Sequence, residues 1–216
     1  MVNKAKEIHL IAKSGKVLFL LPIAFALIVP PAIIFANIGS GIELTRAMYV
    51  GMTQTLLPFG VVMWCMAFLQ IWVDNDGEEM LRASSGKRSL CPTLICLVVL
   101  YLLVGLPGHL LATYYQVTSI WEFLRLIAIY VCAAAVLYFV ALILRSVTLA
   151  AMFVFIFLVL GILPFSDLRA SVFTIIKPTV LASADNFLNY YLYVFLAGVL
   201  LSIAAVVFEK KFFRFK

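Results

Sequence analysis

Charge is scarce in this chain. Only 12% of its 216 residues are charged, against about 25% in an average soluble domain, and 65% are hydrophobic. That balance leaves too little polar surface to cover a water-soluble core, so no part of the chain reads as a soluble domain able to stand alone. Histidine is scarcer still. His9 and His109 are the two copies, neither with a second histidine or a cysteine at ligand spacing, which leaves zinc chemistry without ligands. The four cysteines, Cys65, Cys91, Cys96 and Cys132, lie in or beside apolar segments and read as small hydrophobes, with no metal-type spacing between Cys91 and Cys96. The alternation over about ten residues that marks a membrane β-barrel is absent too.

What the chain has is length of apolar run. Segments of about 20 apolar residues recur, the signature of an all-α polytopic membrane protein. Six spans are expected, at about Val17–Asn37, Met48–Val73, Leu90–Tyr114, Phe123–Leu144, Val147–Phe165 and Tyr190–Phe208. Together they make one transmembrane domain over residues 1–216. In the first, Pro22, Pro30 and Pro31 are expected to kink or end the helix. Its apolar run exceeds the roughly 7–15 residues of a secretory signal core, so it reads as a span rather than a cleaved leader. Ahead of it, residues 1–16 carry a modest amphipathic pattern, with Ala5, Ile8, Ile11 and Ala12 on one face and Lys6, His9 and Lys13 beside them. A basic helix lying in the membrane interface is expected there.

The net charge of +6 does not indicate nucleic acid, because the basic residues cluster at span ends. With the N-terminus, the 74–90 loop, the Arg145-Ser146 corner and the C-terminus on one side, that side holds twelve Lys and Arg. The other side holds four: Arg46, Arg125, Arg169 and Lys177. By the positive-inside rule both termini are then cytoplasmic. Arg145-Ser146 leaves room only for a tight hairpin. The segment 166–189, semi-polar and broken by Pro178, is too poor in apolar residues to cross and is expected to dip into the outer leaflet as two short re-entrant helices.

Near the outer span ends lie Glu43, Arg46, His109, Glu122 and Arg125. Glu122 and Arg125 are three apart, so a helix places them on one face, where they can pair. These residues read either as interfacial snorkelling and ion pairing or as the mouth of a substrate path. Tyr49, Tyr114, Tyr115, Trp121, Tyr190, Tyr191 and Tyr193 fit an outer aromatic belt, with Trp72 on the inner side.

The feature least at home in lipid is the island Asp74-Asn75-Asp76-Gly77-Glu78-Glu79-Met80-Leu81-Arg82-Ala83-Ser84-Ser85-Gly86-Lys87-Arg88, with four of the ten acidic residues. Gly86-Lys87-Arg88 is not the end of a phosphate-binding loop, since position 81 is Leu where Gly is needed and position 88 is Arg where Ser or Thr is needed. Glu78-Glu79-Met80-Leu81-Arg82 is one residue short of the EExxxR signature of glutamate-type intramembrane proteases, and it falls in a polar loop rather than a span. A solvated carboxylate pair is a poor general base.

Taken in order, a basic interfacial helix, six spans, a charged loop after the second, a tight fourth-to-fifth corner and a broken outer segment before the last resemble the membrane (permease) subunit of type-2 ATP-binding-cassette exporters. The resemblance covers essentially the whole chain. The acidic lead, Gly77 and Leu81 match the family's first cytoplasmic loop. The acidic residues after Gly77 come early, and Ser85-Gly86 stands where Ser/Thr-Pro is usual. The resemblance implies that Asp76, Gly77, Glu78, Glu79, Met80, Leu81 and Arg82 form a coupling helix docking on a separate ATPase subunit. That partner would hold the ATP and Mg, and this chain would bind no cofactor and do no catalysis. It further implies a second permease copy or a related permease, a place in the bacterial cytoplasmic membrane, and export of a peptide or a hydrophobic small molecule. Two other classes stay open: a six-span immunity or sensor protein that does not transport, and an intramembrane protease using Glu78 and Glu79 with His109.

Overall fold

The structure is a computed structural model that describes residues 16–37, 39, 41–73, 89–162 and 183–212. Among the described residues there is no strand; the chain is a bundle of helices. They are α1 (Lys16–Asn37), α2 (Ile42–Val73), α3 (Cys91–Tyr114), α4 (Ile120–Leu144), α5 (Val147–Ile162) and α6. The last runs through Ala184–Asn186, a π turn at Phe187–Tyr191, and Leu192–Phe212. The expected interfacial helix before Lys16, the charged loop 74–88 and the expected re-entrant stretch up to residue 182 lie outside the described residues.

Five of these helices (α1, α2, α3, α4 and α6) are long and apolar enough to cross a membrane. The fifth apolar segment is described over 16 residues of α5, about 24 Å of helix, and residues 163–165 of its expected range lie outside the described residues. The second differs from expectation. It starts at Ile42 rather than near Met48 and runs for 32 residues, about 48 Å. Glu43, Thr45 and Arg46 suggest a polar link in sequence, yet each is accommodated in a helical first turn. Arg46 pairs with Glu43 one turn back, and the Thr45 hydroxyl donates to Asn37 O at 2.8 Å and Gly41 O at 2.9 Å. The sixth also begins early. Ser183 caps it, its Oγ accepting from Asn186 N at 3.3 Å, so residues 184–189 belong to the last helix and not to a re-entrant pair.

None of the prolines ends α1; Pro22, Pro30 and Pro31 all lie inside it. The tight corner is as expected, with α4 ending at Leu144 and α5 starting at Val147. Arg145 makes the reversal in the left-handed region (φ 52°).

The bundle is organised around α4, which packs on α6 most extensively and also on α2, α5 and α3, while α1 lies against α2 and α3. Small residues permit this. Ala133, Ala134, Ala135 and Ala141 are buried along α4. At Gly198 of α6, an added Cβ would lie 2.9 Å from the Cα of Cys132, so the two backbones touch there. Gly60 of α2 makes similar room for Tyr101 of α3, whose hydroxyl would lie 2.0 Å from a Cβ at that position. Apolar side chains such as Leu20, Ile28, Leu103, Met152 and Leu200 cover the outside, as expected where the solvent is lipid.

Candidate functional site

Two polar clusters interrupt the apolar interior, one near each end of the bundle. The first is built by α2, α4 and α6. Glu122, in the first turn of α4, and Arg125, one turn on, form an ion pair through Oε2 and Nη2, with both side chains almost wholly buried (4% and 1% exposed). From α2, Gln54 Nε2 donates to the same Glu122 oxygen at 2.9 Å. From α6, the Tyr191 hydroxyl accepts from Arg125 Nη1 at 3.4 Å, and its ring lies 5.3 Å from the guanidinium carbon. The π turn at Phe187–Tyr191 ends on this tyrosine. Ionised groups in a low-dielectric interior are costly unless paired and hydrogen-bonded, and here each charge has its partner. One acceptor is left over: among the described residues, the buried Oε1 of Gln54 has no hydrogen-bond partner.

Next to it, His109 of α3 is held on both sides. Its Nε2 lies 3.2 Å from Ser119 O and its Nδ1 3.4 Å from the Tyr49 hydroxyl. A carbonyl only accepts, so Nε2 carries the proton and Nδ1 accepts from the tyrosine. The ring also packs on Phe123, centroids 5.0 Å apart.

Of the five residues expected at an outer mouth, the structure therefore brings Glu122, Arg125 and His109 into the interior. Glu43 and Arg46 remain at the surface, where Arg46 Nη1 reaches Glu43 at 3.0 Å. Arg46 Nη2 donates to Gln116 O at 3.0 Å, tying the start of α2 to the α3–α4 connection. The pairing of Glu122 with Arg125 follows from their spacing; Gln54, Tyr49 and Tyr191 do not. The belt assignment of Tyr49 and Tyr191 is corrected: both are buried, whereas Tyr114 and Tyr193 are exposed. An amide deep inside the apolar run of α2, which holds one other, Gln70, is the available signal for Gln54.

The second cluster is at the opposite end, by the charged loop. Glu209, buried near the end of α6, accepts from Ser89 Oγ at 2.8 Å and from the Tyr138 hydroxyl of α4, and lies 3.4 Å from the backbone N of Leu90. The residue that ends the charged loop is thereby tied to α4 and α6. The proposed coupling residues Asp76, Gly77, Glu78, Glu79, Met80, Leu81 and Arg82 lie outside the described residues, as does any pairing of Glu78 or Glu79 with His109.

Among the described residues no three His, Cys, Asp or Glu converge to hold a metal ion. All four cysteines are free; Cys65 and Cys132 are buried, and Cys91 and Cys96 half-buried. The two clusters lie at either end of the α4–α6 contact. Compared with protein-family models, with curated proteins and with solved structures, the chain finds no match.

Proposed function

We propose that this chain is the membrane-spanning subunit of an ATP-driven exporter, crossing the bacterial cytoplasmic membrane six times with both termini cytoplasmic. It works beside a second permease, identical or related, and two ATPase subunits that hold ATP and Mg. The charged loop 74–88 is the contact with the ATPase, Met80 and Leu81 its apolar plug, and the cargo is a peptide or a hydrophobic small molecule. The observation that carries this reading is the Glu209 junction. Ser89, where the charged loop returns to the membrane, shares one carboxylate with Tyr138 of α4 and the end of α6. A displacement of the loop therefore reaches the helices that also hold Glu122, Arg125 and Tyr191 at the far end. That is the mechanical link a permease needs, since it does no chemistry and turns a partner's rigid-body movement into a change of access.

The test is purification of the tagged chain from its native host in mild detergent, with mass spectrometry of what accompanies it. A stoichiometric nucleotide-binding subunit supports the proposal. Recovery of the chain alone favours an immunity or sensor protein instead. With the partner in hand, Leu81→Asp should abolish ATP-driven transport while the protein stays folded in the membrane; transport at the wild-type rate would refute the role given to the loop.

A further inference from the structure

Between α3 and α4, with Ser202 of α6 at its floor, runs an apolar groove of about 140 Å³. Its length is informative. On α3 it extends from Cys91 to Leu102, and on the antiparallel α4 from Tyr138 back to Ile127, in each case twelve residues. The eleven helical steps between their ends rise about 16 Å, roughly half of a 30 Å hydrocarbon core. The groove therefore covers about half of the hydrocarbon depth, starting at the end of the bundle where Ser89, Tyr138 and Glu209 meet. Small side chains make it: Ala134, Ala135 and Ser202 line its floor and walls, and Ser202 satisfies its own hydroxyl by donating to Gly198 O at 2.9 Å. It opens outward beside Ile95 and Val99, which are 57% and 48% exposed, on the surface of two helices long enough to cross a membrane.

Charge gives the groove a polarity. At its Cys91–Tyr138 end the described residues hold one acid, Glu209, which is buried and engaged by Ser89 and Tyr138. Lys210, next to Glu209, and Arg145, seven residues past Tyr138 on the helix side of the corner, are exposed toward that same end of the bundle. A bilayer component with a single apolar chain to insert and a negative group at the interface matches both features. We infer that this groove binds an acyl chain of an anionic phospholipid from the leaflet on the basic side, with Lys210 and Arg145 receiving its headgroup phosphate. The site does not depend on transport or on any partner subunit.

The full-length protein, purified in mild detergent and stripped of lipid, should regain one phosphatidylglycerol per chain in native mass spectrometry. It should prefer that lipid over phosphatidylcholine with the same acyl chains by about tenfold. Ile95→Trp with Val99→Trp, placed at exposed positions so as to fill the groove, should abolish retention of both lipids. Lys210→Gln with Arg145→Gln should remove the preference and leave the weaker, headgroup-independent binding. A wild-type measurement makes the outcome independent of how the variants fold: a phospholipid carrying a photoreactive group on its chain should label α3 between residues 91 and 102 and α4 between 127 and 138. Labelling spread evenly over all lipid-facing helices would overturn the inference. So would equal retention by the Trp-filled variant, or a disulfide between two copies through Val99→Cys, which would make the groove a contact between chains.

Discussion

Arg125 is among the most completely buried side chains in the molecule, and its charge is tolerated there because Glu122 is one turn away on the same helix. Removing one partner of such a pair leaves the other charge buried and unmatched, at a cost of about 3–5 kcal/mol, whereas removing both at once costs far less. Arg125→Met is therefore expected to lower the melting temperature sharply in detergent, and Glu122→Gln with Arg125→Met to recover most of the loss. The readout is a double-mutant cycle with Gln54→Leu as a third position, because Gln54 donates to the shared carboxylate oxygen and should lose its own contribution once Glu122 is neutral. Near-additive effects of the two charge substitutions would mean that the ion pair is not what keeps these residues in place. Sequence alone shows that 122 and 125 share a face, but not that the face points inward. That is decided by Gln54, 68 residues away, and Tyr191, 66 residues away, whose approach depends on how α2 and α6 pack on α4.

Helix packing in lipid cannot draw on hydrophobic burial, so close contact between small residues has to hold the elements together. Two glycines test this in opposite directions. Nothing lies within 4 Å of a Cβ added at Gly51 of α2, so Gly51→Ala should stabilise the protein by up to about 1 kcal/mol through helix propensity. At Gly198 the same methyl group meets the backbone of α4, where no flexible side chain can give way, and Gly198→Ala should cost about 1–3 kcal/mol. Comparing the two melting temperatures checks the α4–α6 contact, and equal shifts of the same sign would contradict it. Most elements were legible from hydrophobic run length: α1, α3 and α4 begin and end within three residues of expectation. The misses share a cause. Local polarity puts Glu43–Arg46 before the second span and Asp185–Asn189 in a re-entrant segment, but the first residues of a helix tolerate polar side chains, because Ser183 caps one and Glu43 with Arg46 neutralises the other. Tyr49 and Tyr191 failed for a different reason, since composition places tyrosine at an interface without telling the lipid side of a helix from its inner side.

At the scale of the whole molecule the open quantity is a parity. Five helices are long enough to cross, and α5 over Val147–Ile162 is apolar but short. Six crossings put both chain ends on one side, with twelve basic residues against four; five crossings put α6 in reverse, move Lys210, Lys211, Arg214 and Lys216 across and bring Arg169 and Lys177 back, a weaker bias of ten against six. A helix of this length crosses only with further residues beyond Ile162 or where the bilayer thins around it, at a modest cost per ångström of mismatch. The lipid groove makes the same demand. Its basic end includes both Arg145, at the start of α5, and Lys210, near the end of α6, and these share a side only if α5 completes a crossing. The check uses a chain in which Cys65, Cys91, Cys96 and Cys132 are replaced by alanine, with single cysteines introduced at Gln116, Ser146 and Ser183. A membrane-impermeant maleimide applied from outside should label the cysteines at 116 and 183 and spare that at 146. Labelling that groups 183 with 146 would make this a five-span protein. The basic rim would then be split between two leaflets, and the junction at Glu209, which needs Ser89, Tyr138 and the end of α6 together, could not form on one side of the membrane.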